Sequence, residues 1–225
     1  MALTISRKCV PYTPVKPKLA ELTVAIVSST GVYLEGQTPL GDDSDCSYRL
    51  IPGDADPALL RFNHGHYDES DARKDANSVF PLELLQTLAK EGFIRRVANK
   101  NVGFRGFSTD LKRMYNEVCP AIAADIERSQ ADAVLLTAGC PVCHRVIVAA
   151  QREIEATGLP TVLITVVPEE SRMMRPPRAV HPLGHKTGRV LGPAGDRDRQ
   201  MRVLTEALRQ FEQQHVPGTI IDFQP

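Results

Sequence analysis

Cys140 and Cys143 stand three residues apart, with His144 directly after them, in the stretch Thr137-Ala138-Gly139-Cys140-Pro141-Val142-Cys143-His144-Arg145. Thiols at this spacing suit a redox or nucleophilic dithiol, half of a zinc site, a haem attachment clip, or simple packing by two small residues. An apolar run precedes the motif and a helix-like run follows it, which puts Cys140 at a strand–helix junction with Pro141 in the first helical turn. Unsatisfied backbone N–H groups and the helix dipole favour a thiolate there. Cys140 is therefore the candidate nucleophile, expected to be solvent-reachable at the sheet edge. Cys143 and His144, three and four residues on, share its helical face. Cys143 is placed to resolve a bond formed at Cys140, and His144, with a reference pKa of about 6.5, to tune the thiolate or pass a proton. Haem attachment requires export, and a zinc site lacks a second local Cys or His pair. The dithiol is the reading carried forward, with no metal expected.

Three other stretches offer polar groups to such a site. Asn63–Asp68 carries His64 and His66 two apart with Tyr67 beside them, a loop able to fold over Cys140 as acid, base or substrate anchor. The Ser28–Gly31 turn, with Ser29 and Thr30 at its centre, offers backbone N–H groups to a substrate carboxylate. His181 and His185 bracket a Pro-Leu-Gly turn that can face the same edge. Arg145 and Arg178 are candidate carboxylate clamps, each as compatible with a solvent-facing role. Cys46 is a third thiol in a long loop, and Cys119 is expected to line helix packing.

The elements that must position these groups alternate. Leu22–Gly31 is apolar on both alternate sets, as in a buried parallel strand. A Gly-, Pro- and Asp-rich stretch follows, with only Cys46–Ile51 reading as a short strand. Pro81–Phe93 reads as an amphipathic helix, and Ser108–Gln130 as a second, capped by Ser108 or Thr109 and kinked at Pro120. Ala131–Gly139, Cys140–Gly158 and Leu159–Val167 form a strand–helix–strand unit of the length a parallel crossover needs. A basic Pro/Gly-rich loop around a short strand, a helix over Arg199–Gln214 and a final strand at Gly218–Phe223 complete the chain. The fold class is α/β: a mostly parallel sheet flanked by helices, with a long loop-rich insertion after the first strand. Residues 1–20 read as an N-terminal tail and 21–225 as one domain.

The totals agree with a folded domain and exclude several roles. The chain has 225 residues, 42% hydrophobic and 24% charged, with 27 basic against 27 acidic side chains. This balance provides no long-range field toward nucleic acid or an anionic membrane. No run approaches the apolar length that spans a bilayer, and no signal-peptide pattern opens the sequence, so the cytoplasm is expected. Five cysteines, an odd number, argue against a secreted disulfide framework.

The stretch Ala131–Glu170, followed by Pro177–His185, resembles the core of the glycine/sarcosine/betaine reductase and D-proline reductase component B (selenoprotein B) family, and the likeness extends to Tyr48–Asp54, His64–Ile94 and Pro217–Phe223. In that family a strand ends at a selenocysteine-x-x-Cys motif. The resemblance implies an oxidoreductase that reductively cleaves a small amino-acid-like substrate, with Cys140 at the selenocysteine position and Cys143 at the following Cys. It also implies an external dithiol or thioredoxin-like electron donor rather than a bound cofactor, a redox partner protein, and a partner subunit carrying a pyruvoyl group. A homodimer is expected on general grounds. Two alternatives stay open: a zinc-binding or redox-sensing dithiol module, and a racemase-like two-thiol enzyme with Cys46 as second thiol.

Overall fold

Alternation along two neighbouring strands sets the architecture of the chain. In the computed structural model, which describes residues 9–214 and 216–225, β1 (Thr23–Ser29) and β7 (Ala133–Ala138) are buried along their whole length. Val24, Ile26, Ala133 and Leu135 join one apolar cluster, while Ala25, Val27, Val134 and Leu136 join the other. This is the period-two signature of a strand covered on both faces. It explains why both segments read as continuous apolar runs.

Among the described residues the eight other strands are β2 (Val32–Leu34), β3 (Tyr48–Ile51), β4 (Leu60–Phe62), β5 (Arg96–Val97), β6 (Asn101–Phe104), β8 (Thr161–Ile164), β9 (Ala179–Pro182) and β10 (Ile220–Phe223). The main sheet runs β10-β9-β8-β7-β1-β6-β3, with β5 also on β1. All its pairings are parallel except β3 on β6. The expected α/β class with a mostly parallel, helix-flanked sheet is what the chain adopts. Between β1 and the first long helix, the stretch expected to hold one short strand holds three. β2 and β4 pair antiparallel in a small separate sheet, and β3 joins the main one.

The helices are α1 (Ser70–Lys74), α2 (Leu82–Lys90), α3 (Leu111–Arg113, continuing through Met114–Val118 and Cys119–Glu127), α4 (Pro141–Ala156), α5 (Pro168–Met174) and α6 (Arg197–Gln213). α2 and α6 pack on one face of the sheet, α3 and α4 on the other. Pro120 does not simply kink α3. The turn ahead of it, Met114–Val118, widens to π-helical geometry, which accommodates a residue with no N–H to donate. The cap is Asp110, whose carboxylate accepts from Arg113 N at 3.0 Å; Ser108 Oγ accepts from Asp110 N instead. Asn101 closes the gap between β5 and β6: its Oδ1 accepts from Ile26 N at 2.8 Å, replacing a missing ladder bond on β1.

Arg178 departs most from its expected role. It is fully buried, with its guanidinium on Glu155, on the carbonyls of Thr13 and Thr161, and 4.3 Å above the Tyr12 ring. Thr13 N in turn donates to Glu155 Oε1 at 2.6 Å, so the described part of the segment expected as a tail is bonded to the body through this pair. Removing one partner of a buried pair strands the other. Arg178→Ala is expected to lower the unfolding free energy by about 3–5 kcal/mol in denaturant titration. Burial raises the Glu155 carboxyl from 4.5 to about 7, against opposing bonds from Thr161 and Thr13. The folded chain therefore holds this proton more tightly than the unfolded chain between those values, and this group's contribution to stability falls as pH rises through that window. Glu155→Gln should flatten the change in stability between pH 5 and 7.

Candidate functional site

The carboxyl ends of β1, β6 and β7 meet at one edge of the sheet, and the dithiol sits there. Cys140 is the N-cap of α4, in extended backbone (φ −105°, ψ 171°), and its Sγ accepts from Cys143 N at 3.3 Å. Pro141 fills the first helical position, where no N–H is needed. The two sulfurs lie 2.7 Å apart and are not bonded. A hydrogen bond from Cys143 and the nearby His64 pull the Cys140 pKa down, against the effect of burial. Burial and the Cys140 charge push the Cys143 thiol up. These shifts favour a thiolate at 140 that accepts a hydrogen bond from a thiol at 143.

His64 is the histidine brought to the sulfurs. Its Nε2 is 3.0 Å from Cys143 Sγ, and its Nδ1 accepts from His66 N at 3.3 Å. An acceptor at Nδ1 leaves the ring proton on Nε2, where it points at the sulfurs. Glu69 holds this loop by accepting from the N–H groups of His64 and Gly65 at 2.6 and 2.9 Å. Tyr67 closes over the motif. Its hydroxyl donates to Thr30 O at 2.9 Å, and a Cβ on Gly139 would stand 2.8 Å from its ring, so only glycine fits before Cys140.

His144, next to Cys143, is fully enclosed. Its Nδ1 bonds Cys140 O at 2.8 Å and its Nε2 accepts from Val166 N at 3.2 Å, so it is neutral with both nitrogens engaged. Burial lowers its pKa to about 4. It holds the helix start and the β8 end together. Ser29 and Thr30 lie buried under the same loop, Ser29 facing Gly106 and Thr30 bridging Arg105. His66 faces outward, stacked on Phe107 at 3.8 Å and bonded to Asp43 at 2.8 Å.

Other candidates are placed elsewhere. His181 pairs with Asp222 at 2.9 Å between β9 and β10, and His185 donates to Val190 O. Their loop touches the site cover through Gly188, where a Cβ would lie 2.4 Å from Asp68 O. Arg145 is ion-paired with Glu170. Cys46 is bonded to Ser108 Oγ at 3.3 Å, and Cys119 is buried in helix packing. Arg105, not singled out from the sequence, is the arginine at this edge; a Cβ on its neighbour Gly106 would lie 2.9 Å from Cys143 Cβ.

A family model described as glycine/sarcosine/betaine reductase selenoprotein B matches residues 2–139, ending one residue before Cys140. The chain belongs to the selenoprotein B family. The D-proline reductase subunit gamma of Acetoanaerobium sticklandii is 40% identical over 210 residues, covering 93% of this chain and 86% of that protein, and so extends past the dithiol. Glycine reductase complex component B subunit gamma of Symbiobacterium thermophilum is 30% identical over 214 residues, 89% of this chain and 48% of the relative. Sarcosine reductase complex component B subunit beta of Peptoclostridium acidaminophilum is 27% identical over 226 residues, 95% and 50%. The chain spans about half the length of these last two. No solved structure matches it. By family its class is oxidoreductase, and no helix among the described residues is long and apolar enough to cross a membrane.

His64, Cys140 and Cys143 gather three ligand atoms within 4.8 Å, the donor set of a thiophilic cation. The next shell does not fit one. A metal-bound imidazole donates its second N–H to an acceptor, whereas Nδ1 of His64 faces the His66 N–H.

In this selenoprotein B relative the expected solvent-reachable sulfur is instead enclosed: Cys140 is 2% exposed and Cys143 fully buried. The His64–Tyr67 loop is the cover, so access requires its displacement. Tyr67→Ala removes a hydrogen bond and ring packing together, about 1.4 kcal/mol or more. Iodoacetamide should then alkylate Cys140 about tenfold faster than in the native chain, read by mass spectrometry.

Proposed function

We propose that this chain is a thiol-dependent reductase in which Cys140 attacks a small, amino-acid-like substrate and Cys143 resolves the adduct. A bond forms from Cys140 Sγ to the substrate as its leaving group departs with the bonding pair. Cys143 Sγ then attacks Cys140 Sγ and expels the substrate fragment, which takes up the proton Cys143 releases. The two thiols are oxidised to a disulfide, and the substrate gains two electrons and a proton. An external dithiol or thioredoxin-like protein restores the pair.

The observation that carries this reading is the 2.7 Å sulfur–sulfur approach at the start of α4, where the surroundings pull the Cys140 pKa down and push the Cys143 pKa up. Family membership adds weight, since relatives are named as components of D-proline, glycine and sarcosine reductase complexes. Those names also support a protein partner, and a pyruvoyl-bearing subunit is the form we expect it to take. Cys140→Ser should abolish turnover, and Cys143→Ser should leave a substrate adduct on Cys140 visible by intact mass. Unchanged rates in both variants would reject the mechanism.

The three-ligand cluster favours a second reading, a zinc-binding or redox-sensing dithiol module. Elemental analysis of the reduced, purified chain separates the two. Less than stoichiometric zinc is expected, because the His64 tautomer opposes coordination; one equivalent per chain, lost on His64→Ala, would favour the module.

A further inference from the structure

Outside the dithiol lies a surface cavity of about 570 Å³, lined by Asp42, Asp43, His64, His66, Arg105 and Thr109 among others. His64 is common to both: the residue is part of the cavity wall, and its Nε2 meets Cys143 Sγ. We propose that Arg105 and His66 form a carboxylate-binding subsite there, with the Asp43 side chain as its internal stand-in.

The Asp43 carboxylate occupies the place of a ligand. Its Oδ1 accepts from Arg105 Nη2 at 2.5 Å and from His66 Nε2 at 2.8 Å, so two donors from different segments converge on one oxygen. The match is incomplete. Arg105 is only 5% exposed, its Nη1 is taken by Gly41 O, and its Nε is buried with no hydrogen-bond partner. Nε and Nη2 form the side edge of a guanidinium, the edge a carboxylate spans with two parallel bonds. Asp43 uses only half of that edge. A free carboxylate with both oxygens on Nε and Nη2 would satisfy the orphaned donor and keep the His66 bond.

Displacing Asp43 requires little rearrangement. Its backbone is held separately, since Asp43 O accepts from Thr109 N at 2.8 Å, while the side chain is 39% exposed and held by its bonds to Arg105 and His66. The arginine is held in place as well, because Thr30 and Arg105 form a β-bridge at the ends of β1 and β6. Arg105 directly precedes Gly106, whose backbone packs against Cys143, so the subsite and the dithiol are borne on adjoining residues. Only the claim that this ligand is the substrate rests on the reductase reading.

The test titrates the reduced full-length chain with propionate by calorimetry, with propionamide as the neutral control. Propionate binding with propionamide silent is expected. Asp43→Ala should tighten it, and Arg105→Met should weaken it about tenfold, the value of a charge-assisted bond. Arg105→Lys, which keeps the charge but loses the planar fork, covers the case in which Arg105→Met fails to fold, and should also weaken binding. Equal binding of propionamide, no binding to either wild type or Asp43→Ala, or indifference to Arg105 replacement would overturn the subsite. Turnover is read separately. Binding without reduction counts against the reductase and leaves the subsite standing; reduction with KM unmoved by Arg105→Lys and Asp43→Ala does the reverse.

Discussion

The site depends on the junction where β7 stops and α4 begins. β7 lies between β1 and β8, buried on both faces, so its direction and end are fixed by the core. Cys140 follows at the cap, where the Cys143 N–H reaches its sulfur. The helix terminus supplies partial positive charge without any side chain having to move. Once α4 starts there, Cys143 returns one turn later on the same face, and its contact with Cys140 is a consequence of helical pitch. Burial pushes the Cys143 thiol up, while the bonds that Cys140 receives pull its pKa down. Two chemically identical thiols are made unequal by position alone.

Enclosure strengthens that inequality. With Tyr67 over Gly139 and the His64 ring against Cys143, the dithiol sits in surroundings where each hydrogen bond to the thiolate counts for more than in water. A thiol lacks the intrinsic acidity of the selenol with which the resemblance aligns Cys140, so it needs such help to ionise near neutrality. The same cover keeps both sulfurs from solvent. Ionising Cys140 and admitting a ligand are thus divided between a rigid part, the β7–α4 junction, and a loop held by a few bonds to Glu69 and Thr30.

β1, β7, α4 and β8 were legible in the sequence because each carries its burial in its own residues: long apolar runs, a Cys-Pro start, Gly158 after the helix. β2, β4 and β5 were not, because two- or three-residue strands leave no periodicity to read. Nor could spacing choose among the histidines. His64–His66 and His181–His185 look alike locally, and only the return of the first loop over β7 selects His64. Arg145 and Arg178 drew attention because a guanidinium can clamp a carboxylate, yet their partners Glu170 and Glu155 are 25 and 23 residues away and become neighbours only through the fold. Arg105 stood unmarked after a four-residue strand containing Gly103, a residue needed because a Cβ there would strike Val32 O at 2.0 Å. His144, the most conspicuous histidine of the motif, is absorbed by Cys140 O and Val166 N, a contact to β8 that no local pattern announces.

The choice between redox and metal chemistry illustrates how little can separate two functions. Two thiols and an imidazole within 4.8 Å satisfy the donor requirement of zinc as well as that of a dithiol reductase. What differs is the position of one proton. A ligand imidazole must present a bare Nε2, which places the proton on Nδ1 and requires an acceptor behind it. Behind His64 stands the N–H of His66, two residues along the same loop, with Gly65 at φ +80° making the turn that brings it round. That turn holds Nε2 as a donor, which meets Cys143 Sγ and also helps to lower the pKa of the neighbouring Cys140, without withdrawing the Cys140 lone pairs from attack. The backbone of a three-residue loop thereby favours nucleophilic sulfur over coordinated sulfur.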